Sequence, residues 1–187
     1  PRTTTLADVA GAVTLPIGWR ERRDIALTVV AVVLVGLAHV PWGHGQLAVD
    51  TVATAFLVPL VLVDLRERRL PDPLTLGGAA AVVALLAARS ALTGDVAPTV
   101  HGLLGAAAMA GILLAFHLVS PRGMGFGDVK LGLLLGLVVG ARSLDLVLVA
   151  LLLAGLLGAL GGLALMVRHR RRDVTLPFGP YLVAGAA

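Results

Sequence analysis

Two carboxylates occupy positions where their chemistry would be unusual. Asp64 closes the run Leu62-Val63 and precedes Leu65-Arg66-Glu67-Arg68-Arg69-Leu70-Pro71-Asp72-Pro73-Leu74-Thr75, while Asp128 sits in Gly125-Phe126-Gly127-Asp128-Val129-Lys130-Leu131. Each borders a stretch apolar enough to enter a bilayer. There an ionisable side chain costs about 2.5–3.5 kcal/mol on insertion scales and carries a functional hypothesis by default. Two carboxyls at close range do not both ionise readily. One keeps its proton while the other acts as base on a water, and the acid then protonates a departing nitrogen, the chemistry of an aspartyl hydrolase. Gly125 and Gly127 would let a substrate backbone approach Asp128 without side-chain interference. Lys130 and the nearby arginines bring positive charge to the same region.

The elements that must position these groups follow from composition. Of 187 residues, 58% belong to the hydrophobic set and 14% are charged, with 23 Gly and no Cys. A soluble domain carries about 25% charged residues, so the solvent to reason in is the lipid bilayer. Seven apolar spans are expected, at roughly 24–40, 46–63, 74–92, 100–119, 122–141, 146–167 and from about 176 onward. The first follows Arg20-Glu21-Arg22-Arg23 without a small-residue cleavage site and reads as a retained span. The start at Pro1 reads as a cut or processed end, and span seven as incomplete at Ala187. Arg20, Arg22 and Arg23, then Arg66, Arg68 and Arg69, then Arg122 and Lys130, then Arg168, Arg170, Arg171 and Arg172 all fall on one side when the spans alternate. They are twelve of the fifteen basic residues, and the positive-inside rule makes that side cytoplasmic. The net charge of +4 and pI near 11.0 thus report topology and not nucleic-acid binding. Counting spans places Asp64 and Asp128 on this same side. The apolar segment Leu131 to Ala141 is too short to cross a core of about 30 Å, so its helix must recruit residues upstream, which draws Asp128 below the membrane surface.

Plainer readings stand beside these. Asp128 can cap a helix N-terminus, Asp64 can pair with Arg68 four residues on, and Asp72-Pro73 reads as an N-cap followed by Pro at the first helical position of span three. The stripes Gly132, Gly136, Gly140 and Gly155, Gly158, Gly161, Gly162 read as helix packing. His117 lies near the proposed site in topology and reads as a packed, hydrogen-bonded side chain. No H-E-x-x-H pair is present, and Ser90, Ser120 and Ser143 lie outside any G-x-S-x-G setting. A proton- or ion-coupled transporter with a carboxylate relay is the alternative class, although no broken helix recurs in symmetric halves.

At these residues the sequence resembles the prepilin peptidases, the type IV leader peptidases of the GxGD intramembrane aspartyl protease class. The resemblance rests on Asp64 with the basic stretch and Leu-Pro-Asp-x-Leu-Thr after it, on Gly125-Phe126-Gly127-Asp128-Val129-Lys130-Leu131, and on Leu176-Pro177-Phe178-Gly179-Pro180-Tyr181. It covers most of the chain from about residue 46 onward. It implies an all-α polytopic membrane protein of six to seven transmembrane helices, with residues 1–19 as a flexible or interfacial tail and 20–187 as one peptidase domain. The implied activity removes the basic leader of prepilin or pseudopilin precursors at the cytoplasmic face of the bacterial inner membrane. Asp64 and Asp128 are the catalytic pair in this reading, and Gly125, Gly127, Lys130, Pro177, Phe178 and Gly179 shape the substrate site. No metal or cofactor is expected. Longer family members carry a cytoplasmic region with paired Cys and also methylate the new N-terminus; without Cys, peptidase activity alone is expected here.

Overall fold

The computed structural model describes residues 44–67, 70–121, 124–169 and 179–186. Span one, the tail 1–19, the Arg68 partner expected for Asp64, and Pro177 and Phe178 lie outside these residues. All regular structure among the described residues is α-helical: α1 His44–Glu67, α2 Asp72–Thr93, α3 Ala97–Val119, α4 Phe126–Arg142, α5 Leu144–His169 and α6 Gly179–Ala186. The windows Gln46–Leu65, Asp72–Thr93, Ala97–Val119 and Leu144–Leu163 are long and apolar enough to cross a membrane. The chain is an all-α polytopic membrane protein.

Local sequence sets the helix ends. Helix α2 stops at Gly94, whose φ of 75° needs a residue without Cβ and whose N–H donates to the Ser90 carbonyl. Helix α3 begins where the Asp95 carboxylate accepts the Ala97 N–H at 3.0 Å. The start of α2 differs from the expectation by one residue. Pro71 is the flanking residue, its carbonyl accepts the N–H groups of Leu74 and Thr75 at 3.1 and 3.2 Å, and Asp72 is already helical. The Asp72 carboxylate is instead engaged by Lys130 at 2.5 Å. Helix α4 likewise begins at Phe126 and not at 122, because Gly125 is extended, with φ −70° and ψ 146°.

Helix α4 is the axis of the fold. Its 17 residues span about 25 Å, less than the hydrocarbon core, yet every residue from Leu134 to Ala141 is buried. A helix enclosed by other helices has no need to match the lipid. The small residues on α3 and α4 make this enclosure possible. A Cβ added at Gly105 would stand 2.5 Å from the Gly136 carbonyl oxygen, and one at Gly140 would stand 2.6 Å from that of His101. Backbones therefore meet directly, which is how helices associate when lipid supplies no hydrophobic drive between them. Helix α5 shows the opposite character, exposing Leu148, Leu152, Leu156, Leu160 and Leu163 along its outer face, as a lipid-facing helix does. The short α6 packs back on α5, where a Cβ at Gly185 would stand 2.5 Å from the Ala154 nitrogen.

At the end of the bundle opposite Asp64 and Asp128, α1 and α4 also meet through charge. Nη2 of Arg142 lies 2.8 Å from Oδ2 of Asp50, a side chain only 4% exposed, and Gln46 Nε2 donates to Asp50 Oδ1 at 3.3 Å.

Candidate active site

Helices α1, α4 and α6 converge at one end of the bundle. Asp64, one turn before the end of α1, is 5% exposed, and Asp128, the third residue of α4, is 8% exposed. They are near enough for the charge on Asp64 to act on the Asp128 carboxyl. Gly179, the first residue of α6, lies against both helices. A Cβ placed there would stand 2.5 Å from Asp64 Oδ2 and 3.5 Å from Leu131 Cδ2, and Leu131 is one turn beyond Asp128. Only a glycine lets α6 close over Asp64 in this way.

The capping alternative for Asp128 also holds. The Gly125 N–H donates to Asp128 Oδ2 at 3.2 Å, and the Asp128 N–H donates back to the Gly125 carbonyl at 3.1 Å. Capping and chemistry are compatible: the bond uses one carboxylate oxygen, leaves the other available, and restricts the rotamer of Asp128. A carboxylate at this position also benefits from the N-terminal end of the helix dipole.

The residues expected to shape the site fall in different places. Gly125 is part of the cap. Gly127 is covered by Leu70, whose Cβ and Cδ1 would lie 3.1 Å from an added Cβ, so a backbone reaching Asp128 along that side has to displace Leu70. Lys130 is turned to Asp72, 58 residues away in sequence, with its ammonium 5.2 Å from the centre of the Phe126 ring. It ties the start of α4 to the start of α2. His117 is packed and hydrogen-bonded, Nδ1 lying 2.8 Å from the Met124 carbonyl oxygen and its ring centre 5.7 Å from that of Phe126. Among the described residues, no three histidine or acidic side chains come together as a metal site would require.

An apolar groove of about 660 Å³ opens between α3 and α5, lined by Leu113 and Phe116 on one side, Leu152 and Gly155 on the other, and by Met124 and Leu182. Leu182 follows Gly179 by one helical turn, and Met124 adjoins Gly125. The groove therefore approaches the carboxylate pair from the lipid side. Sequence reasoning passed over Asp50 and Arg142. The available signal was an acid in the second turn of span two, 14 residues before Asp64, together with an arginine directly after the apolar run that ends at Ala141.

A bundle of apolar helices enclosing two neighbouring acids at one membrane edge defines a class of polytopic membrane proteins built around an acidic pair. Within it, residues 51–163 match the type IV leader peptidase family. The chain belongs to that family. It is 38% identical over 172 residues to the prepilin leader peptidase/N-methyltransferase of Aeromonas salmonicida strain A449, covering 85% of this chain and 54% of the relative. It is 37% identical over 177 residues to the protein of that name in Aeromonas hydrophila, covering 91% and 58%. Against the one in Pseudomonas putida it is 36% identical over 154 residues, covering 78% and 51%. The chain spans about half the length of the curated relatives it matches. No solved structure matches it.

Proposed function

We propose that this chain is an aspartyl endopeptidase that removes the basic leader of prepilin-like or pseudopilin precursors. The reading is supported by Asp64 and Asp128, both buried at the same end of the bundle and near enough to interact through charge, in a chain of the type IV leader peptidase family. One carboxyl of the pair takes a proton from water as that water attacks the scissile carbonyl. The other, holding the shared proton, delivers it to the departing amide nitrogen. The Gly125 cap keeps Asp128 aimed at its partner throughout. The groove at Met124 and Leu182 suits a substrate whose cleavage point adjoins an apolar helix. The twelve basic residues on one side favour a cytoplasmic site at the inner membrane, within a single domain of residues 20–187. The names of the relatives also include N-methyltransferase; only leader removal is proposed for this chain.

The test is cleavage of a purified precursor by the purified protein, with sequencing of the new N-terminus. Asp64→Asn and Asp128→Asn should each lower the rate by at least about a hundredfold, the scale of positioned acid–base catalysis, while inserting and folding normally. Undiminished cleavage by either variant overturns the assignment.

A further inference from the structure

Two carboxyls held near each other push apart where both are charged, and a proton shared between them is gained only once the helices are already in register. The helices that carry them must be held in register by something else. Gly179 closes over the pair from α6, but nothing in that contact fixes the axial position of α1 against α4. The ion pair at the far end can do so. Asp50 is 4% exposed and its oxygen lies 2.8 Å from Arg142 Nη2, with Gln46 donating to its other oxygen. Asp50 and Asp64 are both on α1, Arg142 and Asp128 both on α4, and the two helices run in opposite directions.

The spacing is the same on both helices. Asp64 follows Asp50 by 14 residues and Arg142 follows Asp128 by 14 residues, about 21 Å along a regular helix; on α1 that segment includes Pro59 within the helix. Contact between Asp50 and Arg142 therefore sets Asp64 level with Asp128. A slip by one residue would move α1 about 1.5 Å along its axis and turn Asp64 by roughly 100°. It would also pull Arg142 off a buried carboxylate, at the cost of breaking a buried ion pair. Apolar packing also opposes the slip, since Phe56 of α1 and Leu134 of α4 both seat against Gly78 of α2; the ion pair adds a contact between α1 and α4 themselves.

We propose that Asp50 and Arg142 are positioning residues, a register pin that holds Asp64 opposite Asp128 from the other side of the membrane. The proposal rests on the reading of that pair as the reacting groups. It predicts that the pin acts over four helical turns and touches neither substrate nor water.

The Cys-free chain permits a direct test. Leu65 and Phe126, 56% and 50% exposed, each adjoin the site and take a spin label after replacement by Cys. The inner-end distance is then read by pulsed electron resonance, in parallel with kcat and KM on a precursor. The informative variant is Asp50→Leu with Arg142→Met. It removes both charges of the pair together, so neither is left buried by the loss of the other.

It should melt like the unaltered protein, show an inner-end distance shifted or broadened by about 1.5 Å or more, and lose about a hundredfold in kcat with KM within about twofold. Arg142→Lys, and the exchange Asp50→Arg with Arg142→Asp, should restore both readouts. An unchanged distance and kcat in the apolar double variant overturns the pin, as does a loss of activity that only follows loss of folded protein. If the unaltered protein cleaves no precursor, the peptidase reading fails and the distance arm alone decides the pin.

Discussion

Gly179 is the residue whose replacement tests the site with the smallest change. A methyl group there would sit 2.5 Å from Asp64 Oδ2 and 3.2 Å from its Cγ, closer than real Cβ contacts allow. Either the Asp64 carboxyl turns, moving an oxygen by about 1 Å, or the start of α6 withdraws by a similar distance and uncovers it. Displacements of that size cost up to about a hundredfold in rate. Gly179→Ala is therefore expected to lower kcat by between about tenfold and a hundredfold while the protein still melts cooperatively in detergent; steady-state kinetics beside a thermal melt reads both. Wild-type kcat would mean that α6 does not constrain Asp64. Asp64 and Asp128 were legible in the sequence because an acid beside an apolar span stands out against its surroundings. The pairing of Lys130 with Asp72 was not, because Asp72 is remote in sequence and only the fold brings the starts of α2 and α4 together. The cover that Leu70 places on Gly127 was hidden for the same reason.

Among the elements, hydropathy located the five helices expected at 46–63 to 146–167, with ends within a few residues, although only four of them are long and apolar enough to cross a membrane. It did not show that α4 is enclosed. A run of Leu, Val and Gly reads the same whether it faces lipid or protein, and only packing distinguishes the buried Leu134 and Leu137 from the exposed Leu152 and Leu160. The two glycine stripes illustrate the limit. Both carry small residues at helical spacing, yet a Cβ at Gly136 would lie less than 3 Å from three backbone atoms of Gly105 and Ala106, whereas one at Gly155 meets nothing within 4 Å. Gly136→Ala should thus force α3 from α4 and destabilise the bundle by about 1–3 kcal/mol, the usual cost of overpacking. Gly155→Ala, on a lipid-facing helix beside the groove, should be neutral or stabilising by up to about 1 kcal/mol, the helix-propensity gain. Thermal unfolding of the two variants in one detergent checks the contrast. Equal effects would show that α3 and α4 can separate at little cost.

At the scale of the whole molecule, what matters is which aqueous phase each end of the bundle meets. The described helices alternate in direction and place Asp64, Asp72, Asp128 and Lys130 at one end, with Asp50, Asp95, Arg142 and Asp145 at the other. The loops that the sequence pattern assigns to that first end hold most of the chain's basic residues, so the orientation proposed above puts the carboxylate pair against the cytoplasm. The charges could be read from the sequence, but their meaning depended on the span count, since one span more or fewer would scatter the same arginines over both faces. Glu67 and Asp145 are both exposed, at the inner end of α1 and the outer start of α5, and the chain has no Cys of its own. A membrane-impermeant maleimide should therefore label Asp145→Cys in intact spheroplasts and leave Glu67→Cys unmodified until the membrane is opened, with the pattern reversed in inside-out vesicles. The opposite pattern would set Asp64 and Asp128 against the outer phase. A precursor leader still in the cytoplasm would then lie a bilayer away from the only acidic pair proposed to cleave it, and the peptidase reading would fail on topology alone.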